Sequence, residues 1–158
     1  MNKQQFQKQI KKERYQVFLF SSSIPLPLPF IKHTWLVTNH KGKVNRWEVW
    51  DFRHKNKTHW GHLNRNLFKP WEGRTMILLL KGPRYDSKLL GKIEGKKGST
   101  AEKMVNFIEK EVKNYPYKHK FNYFGGPNCN SFVQWVLNKF PESKLKIPNK
   151  AWGKNFKF

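Results

Sequence analysis

The single cysteine of the chain, Cys129, lies in the segment GGPNCNSFVQWVLNKF at residues 125–140. Two glycines and a proline force a turn, Asn128 is a good N-cap, and the spacing predicts a helix whose first residue is Cys129. At that position the helix dipole and the free N–H groups favour a thiolate over a thiol. A thiolate at neutral pH is a nucleophile for carbonyl carbon. The alternative is that Cys129 is a small buried apolar residue, as most free cysteines are.

A nucleophilic thiol needs a base, commonly an imidazole that a third polar group orients. Of the six histidines, His40, His54 and His119 sit in a turn or among lysines. His33 instead lies in an aromatic and β-branched stretch, FIKHTWLVT, where a buried imidazole needs a partner. The following stretch VNRWEVWDF pairs with it if Lys41-Gly42 is the two-residue turn of a hairpin. Position 40 then faces 43, His33 falls opposite Trp50, and alternation puts Glu48 on the face of His33, one diagonal step away. Glu48 is thus the candidate orienting group, or else an exposed strand residue neutralising Arg46. The Cys129 backbone N–H, with Asn128 or Asn130, is the candidate oxyanion or positioning set. His59 and His62, three apart, have a spacing that suits a metal, but no third ligand accompanies them. No metal and no cofactor is expected.

These side chains need a sheet and a helix to bring them together. Residues 1–14 are polar and basic and read as a flexible arm or short surface helix. Tyr15 to Phe20 reads as a strand, followed by an extended loop with Pro25, Pro27 and Pro29. Those prolines, and the lack of a small-residue cleavage site, argue against a secretory signal or anchor over 15–31. The hairpin follows; residues 53–73 read as irregular, Arg74 to Leu80 as a buried strand, and 81–98 as a solvated Lys/Gly-rich loop. Ser99 and Glu102 form a capping-box pattern before a helix with apolar positions Ala101, Met104, Val105, Ile108 and Val112. After the Cys129 helix, residues 142–158 read as an extended strap. The expectation is one α+β domain over 15–158, with a small antiparallel sheet packed on the C-terminal helix.

The chain has 158 residues, 37% of them hydrophobic and 16% aromatic, enough for one well-filled core. No apolar run is long enough to span a membrane, and one cysteine excludes an intrachain disulfide or a thiolate-rich zinc site. Lys plus Arg total 32 against 10 acidic residues, a formal charge of +22. A field of this size attracts nucleic acid, anionic membrane or another polyanion, and Lys11, Lys12, Arg14, Lys96 and Lys97 are the first candidates for such contacts. Because the cations are mostly lysine, contact with nucleic acid would follow the backbone and be salt-sensitive. A soluble protein, cytoplasmic or peripheral to a membrane, is expected, and protein partners fit the surplus of tryptophan.

The order His33 then Cys129, and the run Asn128-Cys129 with Phe132, resemble circularly permuted papain-like proteins of the NlpC type and of the lecithin:retinol acyltransferase-like group. That resemblance implies a His-bearing sheet first and a Cys helix last. It also implies thiol hydrolase or acyltransferase chemistry on a peptide, a wall peptide or a lipid ester. More broadly, Tyr115-Pro116-Tyr117, Gly126-Pro127-Asn128-Cys129-Asn130-Ser131-Phe132, Gly153-Lys154 and His33-Thr34-Trp35 resemble an uncharacterised bacterial family with a GPN signature. That family usually has Ser where this chain has Cys129. A fold kept after its chemistry is lost, serving as a polycationic binding or assembly protein, is the competing expectation.

Overall fold

In a computed structural model, the fold is described over residues 1–23, 31–53, 58–75 and 84–158. The prolines at 25, 27 and 29 and most of the apolar run 74–80 lie outside the described residues. The architecture is α+β. A six-stranded sheet of antiparallel pairs is built from β1 (Tyr15–Ser23), β2 (Lys32–His40), β3 (Lys43–Val49), β4 (His59–Trp60), β5 (Leu63–Arg65) and β8 (Lys88–Gly95). Their order across the sheet is β4-β5-β3-β2-β1-β8, while β6 (Glu72–Thr75) and β7 (Arg84–Asp86) form a separate ribbon.

The β2–β3 hairpin follows the sequence register: His40 pairs with Lys43 and Leu36 with Trp47. Lys41 and Gly42 both take positive φ, 50° and 93°, the twist that a two-residue connection requires. Alternation then divides the sheet. Val17, Leu19, Leu36, Trp47, Val49 and Leu63 face the main core, which α2 (Thr100–Lys110) and α3 (Cys129–Asn138) cover. Phe18, Phe20, Trp35 and Val37 face the other way, into a smaller cluster closed by Phe6. With both faces covered, β1 is buried along nearly its whole length, and its YQVFLF run needs no polar face.

Three segments fold differently from their sequence pattern. Within 53–73, expected to be irregular, lie β4, β5 and the start of β6. The basic segment 1–14 has no core-forming periodicity, yet α1 (Lys3–Gln7) is anchored by the buried ring of Phe6, which packs on Phe18, Phe20 and Trp71. The stretch expected as a solvated loop over 81–98 instead supplies β7 and β8, and β8 pairs with β1 from Tyr15–Gly95 to Ser21–Lys88. Its half-buried Leu89, Leu90 and Ile93 suffice to hold an edge strand, and the lysines that suggested a loop are those that blunt a sheet edge.

In α2, Ser99 caps as expected by accepting from the Glu102 N–H, but the Glu102 carboxylate turns to the Gly98 N–H. The C-terminal segment is a strap: Ile147 and Ala151 are buried, and the Lys150 carbonyl accepts from the Lys32 N–H at 3.2 Å. Among the described residues no helix is long and apolar enough to cross a membrane.

Candidate active site

The N terminus of α3 is fixed by its own sequence. The Asn128 side-chain oxygen accepts from the N–H groups of Asn130 and Ser131 at 3.0 and 3.2 Å, and the Ser131 hydroxyl accepts from the Asn128 N–H at 2.5 Å. Asn128 also donates to the carbonyls of Asn122 and Tyr123. Gly153 seals this arrangement at φ +88°, where a Cβ would come within 2.4 Å of the Asn128 amide. Cys129 is then the first residue of the helix, 7% exposed, as the sequence requires.

Asn130 ties the helix start to β2 and to the strap. Its amide donates to the carbonyls of Lys32 and Trp152, both at 2.8 Å, and its oxygen accepts from the Thr34 hydroxyl at 2.8 Å. Both candidate oxyanion amides, Asn128 and Asn130, are therefore engaged in positioning. Thr34, next to His33, thereby holds the Asn130 side chain at the helix start.

His33 is buried, and the Cys129 side chain is near enough to interact with it electrostatically. Its ring lies 5.6 Å from Trp35 and 5.1 Å from Trp50, the residue expected opposite it. The His33 Nε2 stands 3.1 Å from Glu48 Oε2. Burial lowers the imidazole pKa, but the charge of Cys129, joined by the hydrogen bond and charge of Glu48, outweighs it and holds His33 above its ordinary value. Glu48, also fully buried, is destabilised as an anion by burial; Arg46 and His33 more than reverse this and hold its carboxyl below the usual range. An ionised carboxylate only accepts hydrogen bonds, so the His33 proton toward it sits on Nε2.

Arg46 completes the row. It was legible only as a possible neutraliser of Glu48 on an exposed strand, whereas it is completely buried. It donates to Glu48 Oε2 at 2.7 Å and to the carbonyls of Lys69 and Glu72 at 2.8 and 2.5 Å. Its guanidinium lies 4.1 Å over the Trp35 ring. Burial lowers its pKa, against the pull of the Glu48 charge. The signal for it was spacing: residues 46 and 48 share the strand face that alternation gives to His33.

Tyr115 is a second residue that sequence reasoning passed over. Burial pushes its hydroxyl up to about 12, and the neighbouring Tyr117 and Cys129 add to the rise.

The remaining candidates lie elsewhere. His62 Nδ1 bonds the Trp50 carbonyl at 2.7 Å, and His59 pairs with Asn64 in the β4–β5 ladder. Among the described residues no group of three His, Cys, Asp or Glu side chains is placed to hold a metal. Lys11, Lys12, Arg14, Lys96 and Lys97 gather at the hairpin end of the sheet, where Tyr15 pairs with both His40 and Gly95. That is the far end of β2 from His33. Lys11 is paired there with Glu94 at 2.5 Å.

The family described as "Protein of unknown function (DUF3750)" matches residues 14–156. No curated protein and no solved structure matches the chain.

Proposed function

The chain belongs to the DUF3750 family, and we propose that it is a thiol hydrolase or acyltransferase of circularly permuted papain-like type. The observation that carries this reading is the buried row Cys129–His33–Glu48, with His33 hydrogen-bonded to the Glu48 carboxylate and close enough to the Cys129 thiol to feel its charge. The order of a His-bearing strand followed by a Cys-bearing helix supports the permuted papain-like assignment. Glu48 orients the ring and stabilises its cationic form, so that a thiolate–imidazolium pair can form.

In the first step, Cys129 Sγ bonds the carbonyl carbon of an amide or ester. The Cys129 N–H stabilises the oxyanion, and His33 gives its proton to the departing amine or alcohol. In the second step, water or an acceptor alcohol or amine loses a proton to His33 and attacks the thioester, releasing the acid or the transferred acyl product.

The test is the alkylation rate of Cys129 by iodoacetamide against pH, which has no background because the chain has one cysteine. The expected inflection lies well below the free-thiol value of about 8.5 and rises in His33→Ala. A thiol that reacts only after denaturation, or an inflection indifferent to His33, overturns the proposal. The second reading, a polycationic binding protein, is favoured by the lysines at the hairpin end. It is supported if that outcome is joined by salt-sensitive binding of a polyanion that Lys96→Ala/Lys97→Ala weakens.

A further inference from the structure

Among the described residues five large apolar side chains stand exposed: Phe52, Tyr123, Phe124, Trp152 and Phe158, with Phe124 at 64%. They gather at the end of the molecule where α3 begins. Phe124 lies five residues before Cys129 and meets Trp152 at 5.4 Å. The Tyr123 hydroxyl donates to Asp51, next to Phe52. Phe158 packs on Phe156 at 5.4 Å, and Phe156 lines a cleft of about 320 Å³ together with Gly125, Trp152 and Lys154. Rings that water covers are unfavourable on a monomer, and contiguous ones mark a contact surface.

The charge around them is one-sided. From Val112 to Phe158 the chain carries nine lysines, no arginine and one acidic residue, Glu142. Asp51 stands against these rings, accepting from the Tyr123 hydroxyl. The partner is therefore anionic. Lysine acts as a point charge, suited to a diffuse negative surface, where arginine would serve bidentate recognition of single phosphates.

The rings also meet one another at an angle: 46° for Phe124 and Trp152, 77° for Phe156 and Phe158, and 80° for Phe121 and Tyr123. They present hydrocarbon edges in a cluster rather than a row of parallel platforms for stacked bases. Aromatic side chains with lysines beside them are the composition that sits at the headgroup level of a bilayer.

We infer that this rim, formed by the loop before α3 and the C-terminal strap, docks the protein on an anionic phospholipid surface. Phe124 and Trp152 enter the headgroup layer, and Lys150, Lys154 and Lys157 bind above it. The inference does not depend on the thiol chemistry proposed above; if both hold, the thiol stands beside the bilayer.

The experiment is co-sedimentation of the full chain with vesicles of phosphatidylcholine alone or with one-third phosphatidylglycerol, at low and high salt. The expected result is binding to the anionic vesicles that is at least about tenfold weaker on neutral ones and weakens with salt. Each lysine near such a surface is worth about fivefold, so Lys154→Ala/Lys157→Ala is expected to lose about 25-fold. Phe124→Ser is expected to lose about tenfold, with an unchanged melting temperature because the ring is exposed. Lys96→Ala/Lys97→Ala, at the other end of the sheet, is expected to stay within about twofold.

Three results overturn the proposal: Phe124→Ser binding like the parent, the distal variant losing as much as the rim variant, or oligothymidine binding more tightly than the vesicles and losing affinity in Phe124→Ser. The last would make the rim a single-strand platform. Cys129→Ala must bind vesicles like the parent, so a failure of the thiol reading leaves this result intact.

Discussion

Replacing Arg46 with Met keeps most of the side-chain volume and removes the cation beneath Glu48. Arg46 makes three short hydrogen bonds, to Glu48 and to the carbonyls of Lys69 and Glu72, and lies over Trp35. The gross strength of these contacts overstates their net value, because a completely buried guanidinium has lost its hydration. What the substitution exposes is the asymmetry: Glu48 stays buried with its principal counter-charge gone. Breaking a buried ion pair on one side costs about 3–5 kcal/mol. For a chain of 158 residues that is a fall in melting temperature of about 6–20 °C.

Thermal unfolding of Arg46→Met, Glu48→Gln and the double variant at neutral pH tests this. The double variant should lose less than the sum of the two singles, with a coupling of about 2–3 kcal/mol. A fall of less than about 3 °C for Arg46→Met, or strict additivity, would refute the reasoning and make Arg46 a space-filling residue.

Two further outcomes follow from the same geometry. Glu48 is held below its ordinary 4.5, so its contribution to stability is complete above that value and is lost as pH falls through the folded-state value. His33 is held above 6.5, so its contribution is complete below 6.5 and is lost as pH rises through the folded-state value. The stability difference between the parent and His33→Gln, from urea unfolding, should therefore be largest between those two ordinary values and shrink on either side; a difference flat in pH contradicts it. At the glycines, Gly98→Ala meets open space at φ +86° and should cost about 1 kcal/mol from backbone strain alone. Gly153→Ala, at φ +88° against the Asn128 amide, should cost about 3 kcal/mol because the α3 cap is lost as well. Equal losses in urea unfolding would mean that Gly153 has no role in the cap.

What the sequence disclosed was local and short-ranged. The turn at Lys41-Gly42 determined the parity of the whole hairpin, and parity placed Glu48 beside His33 and His33 against Trp50. The turn residues before Cys129, with Asn128 as cap, determined the first residue of α3 in the same way. Alternation does not say what covers each face of a sheet, so it left Arg46 as a surface charge when Trp35, Phe68 and the segment around Lys69 enclose it. Nor does it say which distant segment completes a sheet: the lysines of β8 read as a loop because an edge strand and a solvated loop share a composition. Phe6 was invisible as an anchor because a single apolar residue has no period. Thr34 and Tyr115 became legible only once the helix start lay over them.

The row of side chains is drawn from opposite parts of the chain, as the 96-residue separation of Thr34 from its partner Asn130 shows. During synthesis the hairpin bearing His33 and Glu48 emerges early, but β1 lacks its second neighbour until β8 has left the ribosome. The thiol arrives later still. Contacts of such long range form slowly and late, so the imidazole and the sulfur meet only after the sheet is closed and α3 has docked. A nascent chain thus carries a separate histidine and cysteine, and the reactivity proposed for the pair would be a report of finished folding.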